Sequence, residues 1–551
     1  MKYKILSLDN FYKILFYIGF YISFLILYLS YDITLSPDFE KYYRYFKFYS
    51  GGLELTGLEQ GHFYYFFTYF ITYLTSISFN AYTLNEIINI SIHLSNNILF
   101  LFGLLGFYKY LTEKEFSRTN VYLSLILLCY LPAGLQLRLS FKPEILGFTF
   151  LGWLLYFLHI YKTSNKKEYL YSFVLLFSLL ITSKASLTLM VGVFLLFEIW
   201  LQNREILSFK YLKYYLIGIL IAGSLVLENQ NYNGYYLNQV KHAENYNNKA
   251  TLDFYTKFDF KNLKANPNRY FHSDSFLSIT LFDTFSDFFK LYWNSEYTEL
   301  NNERKDFIIF NIVKDNKRPP KLTYDKETKV FNFYGDVDPV LVDRGYMDET
   351  RMRAGFKTSL VFYLLIIIYS FLNRNFMSIL LSPLIGIILV GLSALGVFGN
   401  NFDPLVGDSV KSFYYGFFVC SAFLLVMNIT FKYIKFGHKT LSTAILVFFL
   451  FLIGFPHALG EKAEYDLLYK NSLLPTCIIN APIIHNIFGM NLGTECDTNN
   501  LINKKFTSEY IVDPIDDKLL LRTVPFINLL IVLSIYFLLT KKYFLTKFKN
   551  S

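Results

Sequence analysis

Polar positions in this chain do not alternate with apolar ones. They are gathered into gaps between long apolar blocks, many close to the roughly 20 residues that a helix needs to cross a bilayer. Lipid offers no partner to a free backbone amide or carbonyl, so such blocks read as helices. The pattern predicts twelve: Phe11–Tyr31, Thr83–Tyr110, Val121–Leu137, Glu144–Tyr161, Tyr169–Thr182, Ser186–Leu201, Tyr211–Leu227, Lys357–Leu372, Phe376–Phe398, Ser412–Phe431, Leu441–His457 and Pro525–Tyr543. The stretch His62–Phe79 is shorter and rich in Tyr and Thr, and it reads as a helix lying along the membrane interface. A piece of the central segment, Phe276–Trp293, places Leu277, Leu281, Phe285, Phe288, Phe289 and Trp293 on one side and reads as a second interfacial helix.

The expected fold is therefore an all-α polytopic membrane protein. It has about 12 transmembrane helices, interfacial helices and a large outward-facing central loop domain. Three parts follow. Residues 1–227 form an N-terminal transmembrane module with a first outward loop (31–62) and an interfacial helix (62–79). Residues 228–356 form the outward loop domain, too long for a structureless connection. Residues 357–551 form a C-terminal transmembrane module with an outward loop at 458–524. Composition agrees: 53% of residues are hydrophobic and 17% charged, against roughly 25% charged in soluble domains. This excludes a soluble enzyme, a disordered chain and a disulfide-dense scaffold.

Charge sets the orientation. Lys109, Lys114 and Arg118, then Lys162, Lys166 and Lys167, then Arg204, Lys210 and Lys213 fall in loops on one side, as do Lys432, Lys435, Lys439, Lys541 and Lys542. By the positive-inside rule that side is cytoplasmic, with both termini. Lys41, Arg44 and Lys47 in the first outward loop argue the other way and are outvoted. A bacterial inner membrane is the expected location. Cys477 and Cys496 share an outward loop and are a disulfide candidate, although two cysteines in one loop also arise by chance.

Charged residues at a membrane edge are costly, which makes them functional candidates when they gather on one side. In this topology Asp38, Glu40, His62, Arg138, Lys142, Glu144, Lys184, Asp403, Asp408 and Lys411 all fall on the outward side. Carboxylates there suit acid–base work or a metal, and cations suit an anionic ligand. The plainer readings are solvated loop charges for Asp38 and Glu40, headgroup anchoring for Arg138 and Lys142, and a turn marker for Lys184. Glu86, Asn89, His93, Asn96 and Asn97 line one face of the second span, where interhelical hydrogen bonding is the simplest role. There is no Walker loop, dinucleotide fingerprint, His-Glu-x-x-His or zinc spacing, so nucleotide-driven chemistry is not expected.

Several of these segments, in order, resemble the GT-C superfamily of membrane glycosyltransferases, which includes protein O-mannosyltransferases and the aminoarabinose transferases of lipid A. SPDFEKY, with Asp38 and Glu40, resembles the acidic motif of their first outward loop. GHFYYFFTYF resembles their interfacial stretch: His62 is kept, and the prolines usual after it are absent. KPEILGFTF (Lys142 to Phe150), ITSKASLTL, LFDTFSDFFKLYWN and GDSVKSFYYGFF (Gly407 to Phe418) resemble later motifs; the last has Lys411 and tyrosines in place of the usual Arg-Tyr pair.

The resemblance implies transfer of a sugar from a polyprenyl-phosphate donor to an acceptor hydroxyl on the outward face. The acceptor would be a glycan, lipid or protein, and no nucleic acid would take part. It implies Asp38 as base with Glu40 beside it, and Lys142, Lys411, Arg138 and Lys184 as donor-phosphate ligands. His62 and Glu144 would orient the acceptor. A divalent cation (Mg or Mn) bridging Asp38 and the phosphate fits the class, and the spacing does not demand one. A polysaccharide polymerase or ligase, a transporter or flippase of a lipid-linked substrate, and an assembly protein without chemistry are the alternatives.

Overall fold

The computed structural model describes residues 8–30, 61–78, 84–181, 183–202, 204–208, 252–265, 275–285, 349–394 and 412–454. It also describes isolated residues within 45–49 and 211–220, and the backbone of short strands between 293 and 347. The described chain is overwhelmingly helical. Its N-terminal part contains α1 (Leu8–Ser30), α2 (Phe63–Ser78), α3 (Leu84–Glu113), α4 (Arg118–Cys129), α5 (Pro132–Leu139), α6 (Ile145–Ser164), α7 (Lys167–Ile181) and α8 (Ala185–Gln202).

The central segment contributes α9 (Leu252–Thr256), α10 (Phe260–Ala265) and α11 (Phe276–Asp283). The later part contains α12 (Glu349–Leu372), α13 (Met377–Ala394), a 3₁₀ turn at Ser412–Tyr415, α14 (Gly416–Tyr433) and α15 (Phe436–Gly454).

Among the described residues, five helical segments are long and apolar enough to cross a membrane: Ile90–Glu113, Ile145–Ser164, Arg353–Leu372, Arg374–Ser393 and Ser412–Tyr433. A sixth results if α4 and α5 count as one bent span. These match six of the twelve predicted spans. Predicted spans Tyr169–Thr182, Ser186–Leu201 and Leu441–His457 do fall on helices, α7, α8 and α15. Predicted span Pro525–Tyr543 lies outside the described residues, and Tyr211–Leu227 is described only at isolated positions. Helix α2 occupies the stretch expected to lie along the interface.

The second expected interfacial helix is described only as the two-turn α11, with Trp293 in a short strand. That strand, Trp293–Asn294, and Phe307–Ile312 flank Val342–Met347 in an antiparallel sheet. Lys321–Asp325 pairs with Val330–Tyr334. The predicted pattern did not anticipate these strands.

The third predicted span is broken. Ser117 opens α4, its hydroxyl accepting from the Asn120 amide at 3.3 Å. The helix stops at Tyr130, and α5 starts with Pro132, whose missing N–H costs nothing at a first helical position. The two axes differ by 61°. A break deprives the last carbonyls of α4 of amide partners, and the side chain of Arg138 on α5 folds back to supply one: Nη1 donates to Cys129 O at 3.0 Å. The same guanidinium donates to Ser23 Oγ of α1 at 2.8 Å and Asn97 Oδ1 of α3 at 2.7 Å. It also lies over the rings of Phe20 and Phe100. Arg138 is fully buried and fastens four helices.

Helices α3 and α6 pack backbone to backbone because glycines face each other. A Cβ on Gly152 would sit 2.7 Å from Phe107 N, and one on Gly106 would sit 2.9 Å from Trp153 N. Small residues of this kind allow close helix approach in an apolar medium, where no hydrophobic force pulls helices together. Thr149 Oγ1 reaches Leu99 O at 3.1 Å and Trp153 Nε1 reaches Phe102 O at 2.8 Å across the same seam. Gly152→Ala is expected to cost about 1–3 kcal/mol by overpacking. Unfolding in mixed detergent, read by tryptophan fluorescence, measures it; an unchanged midpoint would mean the seam relaxes freely.

Candidate functional site

Two tight turns meet at one end of the bundle. The first joins α5 to α6 and carries Ser140, Phe141, Lys142, Pro143 and Glu144; amides of Leu146 and Gly147 close it onto the carbonyls of Pro143 and Glu144 at 2.9 and 3.0 Å. The second joins α7 to α8 and carries Ser183 and Lys184. Because α6, α7 and α8 run up, down and up, both turns that start an upward helix fall at the same end. Glu144 and Lys184 form a salt bridge there, the Lys184 ammonium donating to Glu144 Oε1. The carboxylate side chain is 2% exposed and the lysine 14%.

The backbone dipoles favour one partner and oppose the other. Glu144 sits at the N-terminus of α6, where a negative charge is stabilised, with no side-chain cap bond of its own. Lys184 sits just before α8, where a positive charge is disfavoured. Glu144 is thus the group that makes Lys184 tolerable. Its other oxygen, Oε2, is buried without a hydrogen-bond partner among the described residues.

The 3₁₀ turn Ser412–Tyr415 completes the site. Lys184 Nζ lies 4.9 Å from the Tyr414 ring centre, and Lys142 Nζ lies 5.7 Å from that of Phe413. Two ammonium groups therefore rest against adjacent rings. Lys142 is 2% exposed. The turn is seated on α13 at Gly386, where a Cβ would collide with Tyr415 Cβ. The hydroxyl of Ser412 is buried and lacks a hydrogen-bond partner among the described residues.

Helix α2 packs over the first turn. Tyr64 OH donates to Asn96 Oδ1 at 2.7 Å, and Asn96 Nδ2 donates to the carbonyls of Arg138 and Ser140 at 2.9 Å. At the start of α2, Gly61 N donates to Ser183 O at 2.9 Å, which brings His62 next to the second turn. His62 is buried; its Nδ1 lies 2.8 Å from the Tyr49 hydroxyl, and Tyr45 stacks on Tyr65 with ring centres 3.9 Å apart. Burial lowers the His62 imidazole to about 4, so it is neutral near pH 7.

Of the sequence candidates, the fold brings Lys142, Glu144, Lys184 and His62 to one end, beside the turn that follows Lys411. Arg138 belongs to the same turn region but reaches away from it, into α1, α3 and α4. Asp38, Glu40, Asp403, Asp408, Lys411, Cys477 and Cys496 lie outside the described residues. Asn96 and Asn97 act as interhelical hydrogen bonders, and His93 is buried beside them. Tyr49, Ser412 and Phe413 were not singled out from sequence. For Phe413 the signal was present in the motif GDSVKSFYYGFF, whose aromatics follow a lysine. For Tyr49 there was none.

Chemically, the site sets two ammonium groups, Lys142 fully and Lys184 largely buried, beside one carboxylate. Such a site suits an anion with several acceptor oxygens. Among the described residues no three His, Cys, Asp or Glu side chains group as a metal site requires; Asp38, the candidate metal ligand, lies outside them. Comparison with protein-family models, with curated proteins and with solved structures finds no match.

Two outcomes test this geometry. Lys184→Met leaves the Glu144 carboxylate buried and unpaired, and is expected to lower stability by about 3–5 kcal/mol; a detergent-unfolding midpoint equal to wild type would refute the pairing. His62 titrates near 4 in the fold and about 6.5 in an unfolded chain. Below pH 6.5 the unfolded state takes up the proton first, so stability falls as pH drops from about 6.5 to about 4 and is unaffected above. In His62→Gln this part of the acid limb should be absent from a melting-temperature series.

Proposed function

We propose that this chain is a membrane glycosyltransferase that moves a sugar from a polyprenyl-phosphate donor to an acceptor hydroxyl on the outward face of the membrane. The observation that carries the reading is the Lys142–Glu144–Lys184 cluster, which gathers two ammonium groups where the turns before α6 and α8 meet. The order of motifs along the chain, which resembles that of GT-C enzymes, supplies the substrate class.

The chemistry follows from what the reaction must do. The bond between the anomeric carbon and the donor's phosphate oxygen breaks, and the phosphate keeps the electron pair. Lys142, Lys184 and Lys411 stabilise that developing charge, in surroundings where water does not screen it. The acceptor hydroxyl attacks the anomeric carbon and loses its proton to Asp38, with Glu40 beside it. In-line attack inverts the anomeric centre. Glu144 and His62 orient the acceptor; neutral His62 can both give and accept a hydrogen bond. Arg138, engaged with Ser23, Asn97 and Cys129 O, acts here by holding the Lys142 turn in place. If a Mg or Mn ion takes part, Asp38 is the residue to hold it. The prenyl tail stays in lipid while the sugar reaches the outward loops, so the donor carries both the substrate and the free energy of transfer.

The experiment is a transfer assay on the purified protein in lipid, with a panel of polyprenyl-phosphate sugars and acceptor extracts, following release of free polyprenyl phosphate. Release is expected from one donor class. Asp38→Asn should abolish it at normal abundance, and Lys142→Ala should lower kcat/KM by about 100-fold. A folded protein that releases polyprenyl phosphate from no donor would overturn the reading. Full activity of Asp38→Asn would overturn only the assignment of the base.

A further inference from the structure

We infer that Glu144 and the donor phosphate compete for Lys184, so that Glu144 sets how tightly the donor is held. This rests on the function proposed above and adds a positioning role to that site.

Lys184 is paired with the Glu144 carboxylate. It is also the more exposed of the pair, 14% against 2%, and lies over the Tyr414 ring. Its ammonium head can therefore change partner while remaining beside the Tyr414 ring. Glu144 is fixed: it starts α6, is buried, and lies in a turn closed by two backbone hydrogen bonds. One of its oxygens is taken by Lys184 and the other is buried without a hydrogen-bond partner among the described residues. A buried carboxylate oxygen left in that condition is costly unless a donor group arrives.

A phosphate entering between Lys142 and Lys184 offers Lys184 more acceptor oxygens and at least as much negative charge. Lys184 turns to it, and Glu144 loses its cation. The released Oε1 then joins Oε2 as an acceptor for a hydroxyl, which is the group the acceptor brings. The salt bridge thus tunes how tightly the donor is held and guards the phosphate-binding lysine against stray anions. No bond is made or broken in this exchange.

The test is equilibrium binding of a short-chain polyprenyl phosphate, without sugar, to the full-length protein in detergent micelles. The variants are Glu144→Gln, Lys184→Gln and the double variant, with melting curves to show that each is folded. Glu144→Gln should bind about tenfold more tightly than wild type, because the competing state is removed. Lys184→Gln should bind more weakly. The double variant should match Lys184→Gln, since Glu144 acts only through Lys184.

A gain from Glu144→Gln that persists fully in the Lys184→Gln background would be general electrostatics, and would overturn the exchange. Equal or weaker binding by folded Glu144→Gln would overturn it too, and leave the transferase reading standing. No binding by wild-type protein would overturn both. Where Glu144→Gln does not fold, Glu144→Ala takes its place in the same cycle.

Discussion

A helix interrupted inside an apolar bundle leaves carbonyls that neither lipid nor neighbouring aliphatic side chains can satisfy. The break between α4 and α5 is such a place, and the fold around it depends on one guanidinium. Arg138 gives a hydrogen bond to the last carbonyl of α4 and two more to α1 and α3. Among the described residues it has no carboxylate partner, so neutral oxygens and two aromatic faces carry the whole solvation of a buried charge. Arginine suits this because its fork of donors reaches several acceptors at once. The consequence is geometric: α5 is fixed against three helices, and the Lys142–Glu144 turn that follows inherits that position. Asn96 repeats the principle a step further on, with its amide bonded to the carbonyls of Arg138 and Ser140.

The candidate site is built on this rigid base but is electrostatically unsettled. A lysine stands at a helix start where the dipole opposes it, a glutamate stands where the dipole supports it, and the two are paired. Against them lies a turn whose rings receive both lysines. The helix pair α3–α6, locked through Gly106 and Gly152, holds the glutamate side. The lysine side hangs on α8 and on the 3₁₀ turn seated at Gly386. One half of the site is thus anchored by backbone contact and the other by side-chain contact, which gives the second half more freedom to adjust.

Much of the helical layout was legible in the chain. Apolar blocks bounded by charges located α3, α6, α13 and α14 to within about four residues, and the end of α12, whose start lies eight residues before the predicted one, because burial in an apolar medium tolerates few other residues. The polar stripe of the second span was legible for the same reason: spacings of three and four residues from His93 set Asn96 and Asn97 one turn further along the same side of the helix. The break at Tyr130–Leu131 was not, although Pro132 marks it. An apolar run gives no sign of its direction, and the compensation comes from a side chain six residues further on. The approach of Lys184 to Glu144 was half legible, since each was singled out and both were placed on one side. What joined them was the parity of helix crossings, not any local feature. The pairing of Tyr49 with His62 depended on a segment whose course has no periodic signal.

The spacing of the buried ion pair has a consequence for how the protein is made. Glu144 precedes Lys184 by 40 residues. At about 5–20 residues per second of synthesis, the carboxyl is complete roughly 2 to 8 seconds before its partner. A bare carboxylate is too costly to leave in an apolar setting, so during that interval the group stays in contact with water. The bridge therefore records the end of a step in assembly: its formation, with loss of water from both partners, marks the moment at which α6, α7 and α8 have taken their places.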